Sequence, residues 1–331
     1  LLAWFGAHAR DLPWRRTRDP YRIWLSEVML QQTRVEAVIP YYERFLARYP
    51  EVRRLAEAPE PEVLALWSGL GYYSRARNLR KAAREIVNAS GEFPNTCEEI
   101  RKLPGIGDYT AAAIASIAFE LPHAAVDGNV LRVLSRVEND FADVSRNRQH
   151  FQELATRYLD RKRPGAWNQA LMELGAMICL PRRPRCRDCP VAAGCAARAA
   201  GIQDQLPQKS RRSRSAVEKF TVLVIQEQGR TLMRRRHEGP YLRGFWEPPM
   251  LSGFVEAAQV PALSAGDLGL EVEVLRELIL IRHRITFRDL HYRPFACRLV
   301  GSPGPEDYQW VSPGEGHPVG AATRKLLDTI P

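Results

Sequence analysis

The sequence predicts two domains of different class. A mainly α-helical region covers residues 1–204, and a smaller α+β domain covers residues 218–331. A basic linker at 205–217 joins them. Three observations carry this. The chain has 331 residues, long for one small domain and long enough for each part to bury a core. Its first two thirds place apolar residues at helical spacing, with Pro and Gly at the turns. At 206–215 the stretch LPQKSRRSRS is polar, basic and aperiodic, and β signals follow it.

The elements follow in order. Asp19 before Pro20 reads as an N-cap with proline at the first helical position, opening an apolar helix expected to run through Val35. Further helices are expected near 62–70, 74–88, 110–119, 129–136 and 149–159. Beyond the linker, FTVLVI at 220–225, the apolar run at 278–281 and the alternating HYRPFACRLV stretch read as strands. No internal repeat is visible.

Composition narrows the function. A hydrophobic content of 45% is ordinary for a globular chain. The net charge of +10, mostly arginine, calls for a polyanionic partner, and both nucleic acid and an anionic membrane satisfy that. No apolar run approaches the roughly 18 residues of a membrane span. The first residues are broken by His8, Arg10 and Asp11, unlike a secretory signal. The missing initiator Met suggests a trimmed or incomplete terminus, and a soluble, intracellular protein is expected.

Of six cysteines, Cys97 and Cys297 stand alone, while Cys179, Cys186, Cys189 and Cys195 share one short loop. In a reducing compartment such a cluster reads as a metal site. Zinc and a [4Fe–4S] cluster both accept four thiolates. Zinc favours paired C-x-x-C knuckles, and one is present, so the spacing leaves both open.

Leu103-Pro104-Gly105-Ile106-Gly107 lies between two helical segments. Its glycines allow a tight turn with bare N–H groups, and the following helix points its positive end at the same place, which makes a phosphate seat. A plain helix–helix connection reads equally from this motif alone. Glu27 sits on a helix with Ile23, Trp24, Leu25, Val28, Met29 and Leu30 around it. Burial there would raise its pKa and suit it to general acid catalysis, unless it pairs with Arg34 or another arginine. Asp127, ahead of Gly128, reads as an N-cap whose hydrogen bonds keep it ionised. Such a split gives one site an acid and a counter-charge.

The segments RDLPWR (10–15), EVMLQQT (27–33), GLGYYSRARNL (69–79), LPGIGDYTA (103–111), VDGNV (126–130) and the four-cysteine loop occur in this order. Together they resemble the MutY family of adenine DNA glycosylases, within the helix-hairpin-helix, endonuclease III superfamily. The resemblance covers nearly the whole chain. It implies a helix-hairpin-helix glycosylase region with an iron–sulfur loop, followed by a Nudix-like α+β domain.

By that resemblance, Glu27 protonates a flipped adenine and handles the water. Asp127 stabilises the sugar cation, with a transient adduct as one route, and Tyr109 and Asn129 are their hydrogen-bonding partners. Lyase relatives carry a catalytic lysine where this chain has Tyr109, which implies a monofunctional enzyme. Arg10, Leu12, Trp14, Arg15, Leu30, Val35 and Gln169 match the adenine pocket, although Trp14 reads equally as core. Gln32 and Tyr72 match the intercalating pair; read alone, they are a solvated helix face and helix-end packing. Gly105 and Gly107 match the phosphate seat. The cysteine loop would hold a [4Fe–4S] cluster and set Arg182, Arg183, Arg185 and Arg187 against phosphates, where a solvated basic surface is the plain alternative.

GFWEPPM at 244–250 resembles the family's Nudix-like recognition domain. The glutamate-rich Nudix signature is missing, since Gln259 stands where a Glu is required, so binding rather than hydrolysis is implied. The family reads 8-oxoguanine with a Phe-Ser-His segment. Here the stretch is His283-Arg284-Ile285-Thr286-Phe287. Thr286 keeps a hydroxyl, Ile285 replaces the aromatic, Phe287 replaces the histidine, and His283 compensates only with a shifted register; each also reads as an ordinary strand residue. Reduced preference for 8-oxoguanine over guanine is therefore expected. The implied partner is duplex DNA with A:8-oxoguanine or A:G mispairs, met by a monomer in the bacterial cytoplasm at the nucleoid. An endonuclease III-type lyase and a non-catalytic damage-sensing protein are the competing readings. A nucleotide pyrophosphatase is disfavoured by the missing Nudix signature.

Overall fold

A computed structural model describes residues 1–210, 216–237, 243–285, 288–302, 307–312 and 317–328. The chain divides into two compact units. The first comprises Leu1–Ala58 and Ser74–Arg211, and the second comprises Pro59–Tyr73 and Arg212–Pro331.

The first unit is helical. Its elements begin with α1 (Leu2–His8), a 3-10 turn at Pro13–Arg15, α2 (Pro20–Leu30), α3 (Val35–Arg48) and α4 (Val52–Glu57). Helix α5 (Glu60–Trp67) belongs to the second unit. The first unit resumes with α6 (Ser74–Ala89), α7 (Cys97–Lys102), α8 (Asp108–Phe119), α9 (Gly128–Val137), α10 (Arg148–Tyr158), α11 (Pro164–Met177) and α12 (Ala196–Ala199). One core packs Val130, Val133 and Leu134 of α9 against Phe151 and Leu154 of α10 and Leu171 and Leu174 of α11. Helix α2 is buried nearly all round, from Tyr21 through Met29. Among the described residues no helix is long and apolar enough to cross a membrane.

The second unit is a mixed sheet with β1 (Ala216–Glu227), β2 (Arg230–Arg235), β3 (Trp246–Glu247), β4 (Met250–Ser252), β5 (Val272–Glu277), β6 (Ile281–Ile285), β7 (Arg288–Leu299) and β8 (Tyr308–Val311). The main path runs β3-β2-β1-β7-β5. Strands β1 and β7 pair in parallel over ten residues, Ala216 to Ile225 against Arg288 to Cys297. Helices α13 (Val260–Leu263) and α14 (Ala321–Leu327) complete the α+β class expected. The segment from Ala257 to Leu268, where a Nudix enzyme would carry its metal-binding glutamates, holds Asp267 as its one acid.

Several expected boundaries are corrected. Helix α2 stops at Leu30 instead of Val35, which opens α3. The reason is a cap the local sequence does not reveal: Arg75 of α6 donates through Nη1 to the carbonyls of Val28, Met29 and Gln31 at 2.8, 2.9 and 2.6 Å. Gln32 then turns left-handed, with φ 58°. The linker is exposed over less of its length than expected. Leu206 is buried, Arg136 Nε donates to its carbonyl at 3.1 Å, and Val144 N donates to Gln208 O at 3.1 Å. The run 278–281 is strand only at Ile281. Ile279 is 77% exposed, so an apolar run without alternation was an unsafe strand signal.

Helices α7 and α8 with the turn between them form the expected helix-hairpin-helix. Only one of its two glycines is needed for backbone freedom. Gly105 has φ +78°, and a Cβ there would lie 2.7 Å from Asn78 Cβ. Gly107 is the extended N-cap of α8, with φ −101° and open space around it. Gly105→Ala should destabilise the chain by about 2–4 kcal/mol in denaturant titration, combining left-handed strain with overpacking. Gly107→Ala should cost about 0.5–1 kcal/mol, the difference between Gly and Ala at an N-cap.

Candidate active site

A cavity of about 490 Å³ in the first unit is lined by Arg10, Leu12, Trp14, Arg15, Glu27, Leu30, Gln32, Val35, Tyr109, Asp127, Asn129 and Gln169. Every residue expected in the adenine pocket, with the expected catalytic four and Gln32, borders this one space. They arrive from the 3-10 turn and its flanks, α2, α8, the start of α9, and α11.

Asp19 accepts from Tyr21 N and Arg22 N, which starts α2 in the register that turns Glu27 inward. Glu27 is 6% exposed. Its Oε2 lies 2.7 Å from the Tyr109 hydroxyl. Arg34, the pairing partner considered from sequence, is exposed, and Arg15 is engaged elsewhere. Burial therefore dominates and raises the Glu27 carboxyl to about 7; Tyr109 and Arg15 pull it down, and Asp127 pushes it further up. The Tyr109 oxygen is also 3.2 Å from Met172 Sδ. The hydroxyl has one proton for two acceptors. When Glu27 is protonated it can donate to Tyr109, whose own proton then turns to the sulfur.

Asp127 caps α9. Its Oδ1 accepts from Asn129 N at 2.8 Å and Val130 N at 2.7 Å, and its Oδ2 accepts from Asn129 Nδ2 at 2.7 Å. The expectation that capping alone keeps it an ordinary carboxylate needs correcting. Burial pushes its pKa up, and the bonds from Val130 and Asn129 offset that only in part. All three bonds still come from N–H donors, so the oxygens are arranged as acceptors.

Three residues at this site escaped the sequence reading. Glu173 and Met172 lie on α11 beside Gln169 and also line the cavity; the i, i+4 spacing of Gln169 and Glu173 was the available signal. Arg132 is the third. It donates through Nη2 to Asn129 Oδ1 at 2.9 Å and Gly175 O at 2.8 Å, and through Nε to Cys179 O at 2.7 Å. Its i+3 position from Asn129 signalled the first contact, but the loop contact is tertiary. Trp14 is 7% exposed and edge-on to Tyr42, so it serves both core and cavity wall.

Gln32 is exposed, and Tyr72 is 39% exposed. Both hold left-handed backbone, at φ 58° and 47°. Non-glycine residues in that region are uncommon and concentrate at functional sites. Tyr72 belongs to the second unit and Gln32 to the first.

Cys179, Cys186, Cys189 and Cys195 are free thiols that border one small pocket with Val133, Leu174, Ile178 and Val191. Arg136, 1% exposed, crosses beneath it: Nη1 donates to Leu180 O at 2.7 Å and to Cys179 Sγ at 3.3 Å. Among the described residues no set of three or more His, Cys, Asp or Glu is arranged to hold a single metal ion. Four soft thiol donors around one shared apolar pocket are a donor set that an iron–sulfur centre accepts. Arg182, Arg183, Arg185 and Arg187 are all exposed around the loop.

In the second unit, His283 lies on β6 opposite Leu290 of β7. Burial and Lys325 lower its pKa below 6.5, so it is neutral near pH 7. Thr286 and Phe287 lie outside the described residues.

Comparison with known proteins agrees with this assembly. Residues 25–157 match the family model described as HhH-GPD superfamily base excision DNA repair protein, and residues 221–329 match that of the NUDIX domain. The rat adenine DNA glycosylase is 49% identical over 209 residues, covering 60% of this chain and 40% of the rat protein. The adenine DNA glycosylase of Buchnera aphidicola subsp. Schizaphis graminum is 34% identical over 242 residues, covering 72% of this chain and 70% of that one. Among solved structures, a thermostable thymine-DNA glycosylase superposes with a TM-score of 0.55 at 31% identity, covering 60% of this chain and 93% of that one. The chain spans about two fifths of the length of the mammalian relatives it matches. With two matching domain models, and a bacterial relative matched over most of its length, the chain belongs to the adenine DNA glycosylase family.

Proposed function

We propose that this chain is a monofunctional DNA glycosylase that excises adenine mispaired with 8-oxoguanine or guanine in duplex DNA. The observation that carries the reading is the shared cavity: a buried acid with a pKa of about 7, Glu27, and an acceptor carboxylate, Asp127, border one space of base-pocket size.

Adenine leaves only when a ring nitrogen is protonated, and the sugar left behind has oxocarbenium character. Glu27 holds a proton near neutrality and gives it to the base as the N-glycosidic bond breaks; its carboxylate then takes a proton from the water that adds to the sugar C1′, which restores the acid. Asp127, oriented by Asn129 and the first turn of α9, faces the developing cation. Arg10, Arg15 and Gln169 hold the flipped base, and Leu12, Trp14, Leu30 and Val35 give it an apolar wall. Gln32 and Tyr72 serve as wedges that fill the space left in the stack. Gly105 and Gly107 seat a phosphate at the start of α8. Tyr109 supplies a hydroxyl where a lyase would need an amine, so no Schiff base forms. The finding that Met172 and Glu27 share the Tyr109 hydroxyl favours this role over a lyase or a passive sensor.

The four cysteines hold a [4Fe–4S] cluster in this proposal. When bound, the cluster fixes the loop fold and carries no step of the excision. Its loop then presents Arg182, Arg183, Arg185 and Arg187 to the DNA backbone. In the second unit, Ile285 in place of an aromatic and Phe287 in place of a histidine weaken the reading of 8-oxoguanine, and neutral His283 contributes a hydrogen bond at most. The charge of +10 and the bacterial relatives suit a monomer working on nucleoid DNA.

Incubation with A:8-oxoguanine and A:G duplexes tests the function. Strand breaks should appear only after alkali, and single-turnover rates on the two duplexes should be similar. Breaks without alkali mean a lyase, no breaks mean no glycosylase, and a many-fold preference for 8-oxoguanine means the altered segment still reads the lesion.

Glu27→Gln should lower the single-turnover rate by about 10²–10⁴-fold. The wild-type rate should fall as pH rises through about 7, where Glu27 loses its proton. Stability follows the same group. Its folded pKa of about 7 lies above the ordinary 4.5, so the folded state favours the protonated form. That contribution is complete below about 4.5 and is lost as pH rises through 7, amounting to about 3 kcal/mol. Glu27→Gln should therefore narrow or reverse any stability deficit relative to wild type between pH 5 and pH 8 in denaturant titrations.

Metal analysis of protein purified without oxygen should find iron and sulfide at four of each per chain and no stoichiometric zinc. Zinc without iron would remove the cluster from this account.

A further inference from the structure

Glu173 of α11 is 1% exposed at its side chain and makes five hydrogen bonds with two arginines. Oε1 accepts from Arg10 N at 3.0 Å, Arg10 Nε at 2.9 Å and Arg15 Nη1 at 3.0 Å. Oε2 accepts from Arg10 Nη2 at 2.7 Å and Arg15 Nη2 at 2.9 Å. Arg15 Nη1 also donates to Arg10 O at 3.0 Å, which ties the two arginines to each other. Glu173, Arg10 and Arg15 all border the cavity that holds Glu27.

We propose that Glu173 is a positioning residue of the pocket, holding Arg10 and Arg15 as a fixed, charge-compensated pair on its wall and so setting how much positive charge reaches Glu27. The inference rests on the reading of Glu27 as the proton donor.

The competition is between two buried carboxylates for one arginine. A buried glutamate in an arginine-rich chain ordinarily ends in an ion pair, and such a pair would leave Glu27 ionised and unable to act as an acid. Arg15 is the cation that bears on Glu27, but both of its Nη groups are committed to Glu173. The bidentate geometry suits a guanidinium and fixes both planes. Glu173 itself stays charged: burial pushes its carboxyl up, but the bonds from Arg10 and Arg15 outweigh this and hold it at about 2. Its charge is therefore constant over the range in which Glu27 titrates. The other titratable or charged groups described near Glu27 come from the packed elements α6, α8 and α9. They are Tyr109 from α8, Asp127 ahead of α9, and Arg75 of α6 on the carbonyls at the end of α2. Glu36 of α3 acts on Arg10. Among the described residues, the carboxylate bonded to Arg15 is that of Glu173.

The test is the pH profile of single-turnover adenine excision by the full chain on an A:8-oxoguanine duplex, in wild type, Glu173→Gln and Arg15→Met. Freed Arg15 charge should favour ionised Glu27. The Glu173→Gln midpoint should move down by about one pH unit, a loss of about tenfold in rate above the wild-type midpoint. Removing the cation instead should move the Arg15→Met midpoint up. A rate lowered equally at every pH, with the midpoint fixed, is what a purely structural role gives and would overturn the proposal. Should Glu173→Gln fail to fold by thermal melting, Arg15→Met decides alone, and an unmoved or lowered midpoint in it defeats the proposal. Wild type without excision defeats the functional reading as well; wild-type excision with unmoved variants defeats only this inference.

Discussion

The account depends on one constraint: a carboxyl group taken out of water with a single hydroxyl for company. Glu27 lies on a helix buried nearly all round, and its one close polar contact among the described residues is Tyr109. Desolvation penalises the charged form, and no cation is free to offset it. The surrounding architecture keeps that imbalance in place. The Asp19 cap fixes where α2 starts, Arg75 fixes where it ends, and the hairpin before α8 fixes where Tyr109 stands.

Two buried glutamates and a part-buried aspartate in one cavity wall behave in three ways, and their partners decide which. Glu173 takes five bonds from two arginines and is held at about 2. Asp127 takes three N–H bonds and is raised despite them. Glu27 takes one bond from a hydroxyl and reaches about 7. All three are carboxylates drawn at least partly out of water; donor number and donor charge differ most between them. Environment, rather than identity, thus separates an acid, a counter-charge and a scaffold. Asn129 and Arg132 extend the arrangement to the cysteine loop, because the side chain that orients Asp127 is itself held by an arginine bonded to Cys179 O.

Much of this was legible in the sequence, for identifiable reasons. Asp19-Pro20, the Gly-rich hairpin and the Asp127 cap are local signals, and local signals survive folding. Glu27 was legible because its neighbours are apolar on every side. Glu173 was not, because its partners lie 163 and 158 residues away and its one local mark, the i, i+4 spacing from Gln169, does not reveal them. The end of α2 was misplaced for the same reason, since its cap comes from α6. Both hairpin glycines were read as allowing the tight turn, and of the two Gly105 is the one that is left-handed and crowded. The run at 278–281 was misread because apolar content stood in for alternation.

The most direct measurement is the titration of the Glu27 carboxyl itself, by carbon NMR of the chain labelled at glutamate side-chain carboxyls, with Glu27→Gln to assign the signal. A midpoint near pH 7 is the outcome this account requires. A midpoint near 4.5, with the group ionised throughout the neutral range, would mean that the buried acid holds no proton to give.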